Sequence, residues 1–157
     1  MNIFYLDKNP DLSAQLHCDK HVVKMILEYA QMLSTAHRIL DDSQDVYKIA
    51  HKNHPCTIWV RENKSNYKWL SMMWFFLCKE YTHRYGKTHK TETKLLTRLL
   101  QAPKNISDGT MSQPPQCMPE DVKTDCPIVA YKNYYIKYKS HFAKWTKREI
   151  PKWFSEI

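Results

Sequence analysis

An acid on an apolar helical stripe is the first feature of the chain that could do chemistry. Stepped at ~100° per residue, Asp19 falls on the same side as Leu12, Leu16, Val23, Ile26, Leu27, Ala30 and Leu33. A carboxylate that faces a core must be paired, hydrogen-bonded or neutralised. Two readings of Asp19 stand at this point. It closes an internal ion pair, with Lys20 or with an arginine of a second helix, or it lies at the base of a cleft for general acid–base work. His17, His21, Lys24 and Glu28 share the opposite face at i, i+4, i+7 and i+11, a pattern for a solvated face or for phosphate contacts. His17 and His21 have the spacing of a metal-gripping pair, but no third ligand follows at a recognisable distance, so no metal is expected. In HKNHPC, His51, His54 and Cys56 cluster beside a proline at a helix start, where histidine caps or packs more often than it ligates. No Cys–His or Ser–His–acid order names a nucleophile.

Basic residues interleaved with aromatics form the second signal. Between Tyr131 and Arg148 six Lys/Arg occur and no acid, among Tyr131, Tyr134, Tyr135, Tyr138, His141, Phe142 and Trp145. Cations neutralise phosphates and aromatic rings offer stacking faces to unpaired bases. Alternatively the rings at i, i+3, i+4 and i+7 are core, and Tyr131, Tyr134, Tyr135, Tyr138 and Phe142 are expected to be mostly so. Arg61, Lys64 and Lys68 repeat at helical spacing earlier in the chain, and Arg84, Lys87, His89 and Lys90 follow.

The elements that must position these residues are helices. Met1 to Leu6 reads as a strand or a strap across the core. Asn9 and Pro10 are an N-cap and first helical residue, and a helical period runs from Asp11 to about Leu40, long enough for a break partway. Pro55 and Thr57 open a second long helix to Tyr85, stopped by Gly86. A third, capped by Thr88 or Thr91, runs to Leu100, and a fourth runs from Asp125–Pro127 to about Trp145. Residues 101–126 are a long Pro-rich loop, and Trp153-Phe154 should tuck back onto the core. The expected fold is all-α: one domain over residues 1–157, with about four main helices and a short N-terminal extended segment.

Composition narrows the function. The two glycines, Gly86 and Gly109, leave no glycine-rich phosphate loop and no nucleophile elbow, so no nucleotide cofactor is expected. Residues 1–50 hold five Lys/Arg against seven Asp/Glu, whereas the rest hold 19 against nine. That asymmetry favours a polyanionic partner, nucleic acid before an anionic membrane surface. Five cysteines, an odd number without CxxC, and a polar N-terminus suggest free thiols in a reducing, cytoplasmic setting. The longest apolar run, Leu70 to Cys78, is too short to span a bilayer, and no membrane partner is expected.

The blocks MNIFYLD, DKHVVKMILEYAQMLSTAHR, NHPCTIWVRENKSNYKWL, EYTHRYGKTHK and AYKNYYIKYKSHFAKWTKREIPKWF resemble a family of small tailed-phage proteins, which implies a bacterial host cytoplasm. More distantly the layout is similar to the pyrimidine-dimer DNA glycosylases of the endonuclease V type. The pieces that carry this likeness are Met1 to Tyr5, the Asp19-Lys20-His21 region, His54-Pro55, and Glu80 with Arg84-Tyr85-Gly86. The resemblance implies an N-terminal amine that attacks sugar C1′, an adjacent glutamate that assists, arginines on the phosphates, and a flipped base. Asn2 stands where that family has threonine and is large enough for Met1 to be retained. Lys20 and His21, beside Asp19, stand near the place of its Arg-Glu pair. The expected function is therefore a phage DNA-acting protein of glycosylase/lyase type on damaged or modified bases. Met1, Asp19 and His21 are its candidate catalytic residues. Lys20, Lys24, Arg61, Lys64, Lys68, Arg84, Lys137, Lys139 and Lys144 are its candidate backbone contacts, with DNA rather than RNA as partner. The rival is a non-enzymatic accessory protein that grips nucleic acid or a host protein.

Overall fold

A computed structural model describes residues 1–156. Among these the protein is all-helical and has no strand. The elements are α1 (Pro10–Leu16), α2 (Asp19–Asp41), α3 (Pro55–Glu62), α4 (Lys64–Tyr85), α5 (Lys90–Leu99), a 3₁₀ turn at Glu120–Val122, α6 (Pro127–Tyr134) and α7 (Lys152–Ser155). α6 runs on into a turn of π-helix at Tyr135–Lys139. No described helix is long and apolar enough to cross a membrane.

Two of the long helices read from the periodicity are each a pair. The first breaks at His17 and Cys18, whose extended ψ angles of 133° and 161° end α1 and start α2. A single wheel drawn through that break assigns faces wrongly. Leu12, Val23 and Leu27 are exposed, while His17 and His21 are buried. The stripe that α2 buries is Val22, Met25, Ile26, Tyr29, Ala30, Leu33 and Ala36, at helical spacing. The second long helix breaks at Asn63, whose side chain caps α4 through the Asn66 N–H at 2.9 Å. The last helix ends at Lys139 rather than Trp145, and there Tyr138 is exposed, not core.

α4 is the central element and packs against α1, α2, α3 and α5. Its Leu70, Met73, Trp74 and Leu77 are fully buried, and the Trp74 indole donates to the Ile26 carbonyl at 3.0 Å, tying α4 to α2. Gly86 ends it at φ 68°, a left-handed conformation that costs glycine nothing.

The 101–126 loop is irregular but not loose. Asp41 accepts from the N–H groups of Lys104 and Asn105, Ser65 donates to the Gly109 carbonyl, and Asn66 pairs with Ser112. Tyr131 donates to the Pro115 carbonyl. Trp153 and Phe154 pack against the core, and Trp145 lies buried beside them.

Candidate active site

The first six residues form a strap, held by polar side chains that the core buries. Tyr29 accepts from the Phe4 N–H at 3.1 Å, and Ser13 donates to the Phe4 carbonyl and accepts from the Leu6 N–H, both at 3.2 Å. Behind them His17 links the two anchors, Nδ1 to the Ser13 carbonyl at 2.7 Å and Nε2 to the Tyr29 hydroxyl at 2.8 Å. The carbonyl can only accept, so the network assigns the proton to Nδ1 and leaves Nε2 to accept from Tyr29. Burial lowers the His17 pKa to about 4, which keeps the ring neutral and that network intact. Each of these hydrogen bonds crosses from the extended segment to α1 or α2, so the position of the chain's first residue is fixed by helices.

That position brings the Met1 α-amine to 3.2 Å from Glu28 Oε1, with the two side chains 6% and 16% exposed. The other carboxylate oxygen, Oε2, is buried without a hydrogen-bond donor, and Lys24 Nζ lies 3.9 Å from it. Amine and carboxylate sit on a cleft of about 150 Å³ whose walls include His21, Lys24, Tyr134 and Lys139. A primary amine is a nucleophile once it loses a proton, and a carboxylate within hydrogen-bond reach can take that proton.

His21, on the same cleft, stacks on Phe4 with ring centroids 4.2 Å apart. Its Nδ1 meets the Tyr135 hydroxyl at 2.7 Å, and that hydroxyl accepts from the Cys18 N–H. Burial first, then the neighbouring His17, Lys139, Lys24 and Lys20, lower its pKa to about 2, so it is a neutral wall of the cleft. Lys20 and Lys139 flank the Phe142 ring at 4.6 and 5.9 Å from its centroid. The Asp19 N–H donates to the Lys144 carbonyl, placing Lys144 at the start of α2. Lys24 and Lys139 thus line the cleft and Lys20 lies close enough to His21 to bear on its charge, while Lys144 is held by its backbone at the start of α2.

The other expected contacts lie elsewhere. Arg61 donates to the Thr57 and Lys52 carbonyls and holds the loop before α3. Lys64 and Lys68 border a separate groove with Lys104 and Asp108. Lys137 is paired with Asp121. Arg84 is fully buried and, contrary to expectation, has no nitrogen to offer a phosphate. It donates to Asp19, Glu80 and the Gln15 carbonyl at 3.0, 2.8 and 2.9 Å.

Asp19 itself follows the ion-pair reading. One oxygen accepts from Arg84 and from the Thr146 N–H, and the other accepts from the Thr146 hydroxyl at 2.6 Å. Glu80 extends the cluster by accepting two bonds from Arg148. Burial alone would raise the Glu80 pKa, but the hydrogen bonds from Arg148 and Arg84 bring it below the usual range. The cluster clasps residues 144–148 onto α1, α2 and α4, so the inward acid of the first helix is a structural tie. The carboxylate that meets the amine is Glu28, which the helical pattern put on a solvated face. One signal marked it: Glu28 is the only glutamate among the first 61 residues.

No curated protein and no solved structure matches the chain. A family model does, over residues 1–93, a span that contains the strap, α1 to α4, the Met1–Glu28 pair and the Asp19–Arg84 tie. The chain belongs to the pyrimidine dimer DNA glycosylase family.

Proposed function

We propose that the protein is a phage-encoded DNA glycosylase with abasic-site lyase activity, acting on dimerised or otherwise damaged pyrimidines in duplex DNA. The observation that carries this reading is the Met1 amine 3.2 Å from Glu28 at the edge of a cleft rimmed by lysines. Glu28 takes a proton from the α-ammonium, and the freed amine attacks C1′ of the damaged nucleotide. The glycosidic bond breaks and its electron pair leaves with the base; the C1′–O4′ bond then opens as O4′ takes the proton held by Glu28, leaving an iminium that joins the protein to the sugar. The Glu28 carboxylate stabilises that developing positive charge. Loss of a C2′ proton then expels the 3′ phosphate, and water releases the sugar from the amine. Lys20, Lys24, Lys139 and Lys144 hold backbone phosphates around a base rotated out of the stack. Asp19 keeps Thr146, and with it Lys144, in place.

The test is strand incision on ultraviolet-irradiated duplex. The wild-type protein should cut at dipyrimidines. Glu28→Gln should lose ~10²-fold or more of that rate, the scale of a missing general base, while keeping its circular dichroism. Full incision by Glu28→Gln would overturn the role of Glu28. Tight duplex binding with no incision by the wild-type protein would favour the accessory-binder reading.

A further inference from the structure

A second group of reactive side chains lies outside the Met1–Glu28 cleft, where the Pro-rich loop crosses the start of α3. We propose that His54, Cys56 and Cys117 form a binding site for one zinc-type divalent cation, with the fourth coordination position open to water. Their ligand atoms lie within 4.8 Å of one another. The two sulfurs are 3.9 Å apart. Zn–S bonds of ~2.3 Å at tetrahedral angles put two thiolates ~3.8 Å apart, so the pair already has the spacing of a shared metal. A disulfide would require the sulfurs to close from 3.9 Å to ~2.05 Å, and both thiols are free.

The ligand chemistry agrees with the spacing. His54 Nδ1 accepts from the Cys56 N–H as the N-cap of α3, which fixes the ring; Nδ1 therefore carries the lone pair of the neutral imidazole, and a bound metal takes that lone pair in place of the N–H. Burial lowers the His54 pKa, so the imidazole is neutral, the form that ligates. Within the thiol pair Cys117 ionises first. The hydrogen bond from Cys56 is the main cause, with help from Lys123 and the N-terminal ammonium, and together they lower the Cys117 pKa below that of an ordinary thiol. Metal binding then displaces the remaining Cys56 proton. The protein's other thiols are apart from this group: Cys126 is exposed, and Cys18 and Cys78 are buried elsewhere. Cys117 belongs to the long loop and Cys56 to α3, so a bound ion would fasten the loop beside the strap that carries Met1.

Cobalt(II) tests the site, since its spectrum reports ligand type and geometry. Reduced full-length protein titrated without oxygen should take up one equivalent, with thiolate-to-cobalt charge transfer and the visible bands of a tetrahedral centre. One equivalent of zinc should bleach both. Cys117→Ser should weaken binding by ~100-fold or more, at least what the loss of a supporting contact costs, whereas Cys126→Ser should match wild type. Circular dichroism checks that Cys117→Ser is folded. No cobalt spectrum in the wild-type protein would overturn the site, as would a spectrum that survives Cys117→Ser or disappears with Cys126→Ser. So would Cys56 and Cys117 that resist alkylation, in protein purified under reductant, until a stronger reductant is added.

Discussion

Two acids on one helix, nine residues apart, have opposite fates because of what reaches them. Asp19, in the first turn of α2, is met by a buried arginine and by the Thr146 N–H and hydroxyl. Glu28 is met by the chain's own amine and keeps one oxygen without a donor. Asp19→Asn should therefore cost stability rather than chemistry. Roughly 2 kcal/mol is expected, below the figure for a fully buried pair because the Asp19 side chain is 20% exposed. Thermal melting should show the loss, with incision by the folded fraction unchanged. Asp19 was legible as an acid that needs a partner, although the wheel that turned it inward ran through the His17-Cys18 break and grouped it with Val23 and Leu27, which are exposed. Glu28 was not, since its partner is a backbone amine delivered by an extended strap, and such a contact leaves no periodic trace. The histidines add a pH dependence. His17 has a folded pKa of about 4 and His21 of about 2, against about 6.5 when unfolded. Below about pH 6.5 the unfolded chain binds protons that the native state refuses, so stability is complete above that pH and is lost as pH falls toward 4 and beyond. Urea midpoints should drop between pH 7.5 and 5, by up to ~1.4 kcal/mol per pH unit for each such histidine. His17→Gln, which can keep both hydrogen bonds, should show the shallower fall.

Helix ends carried more information than helix middles. Asn9-Pro10 starts α1 and Gly86 stops α4, as their backbone preferences dictate. The breaks at His17-Cys18 and Asn63 were hidden because the residues on both sides remain good helix formers. At Asn63 the interruption is useful, since one amide caps α4 and also donates to the Thr110 carbonyl of the long loop at 3.2 Å. Asn63→Ala should cost about 1–2 kcal/mol, from the lost cap and the lost tie together. Denaturant unfolding measures it, and a cost near zero would show that the loop holds itself. The π-helical turn after α6 had no signature in the aromatic spacing either. It ends the helix at Lys139, beside the Phe142 ring and the cleft.

Over the whole molecule, the charge asymmetry pointed to a polyanion, but it could not say which cations share a surface. The fold gathers Lys20, Lys24 and Lys139 near the Met1–Glu28 cleft and sets Lys64 and Lys68 in another groove. Removing Lys24 and Lys139 together should lower the slope of log binding constant against log salt by ~2, one phosphate contact each. Unchanged slope in duplex-binding titrations would detach those lysines from DNA. The amine beside Glu28 is the centre of the account, and chemical trapping reads it directly. Wild-type protein mixed with an abasic-site duplex and borohydride should form a covalent adduct, and peptide mapping should place it on the α-amine of Met1. An adduct on a lysine side chain, or none with the folded protein, would contradict the account.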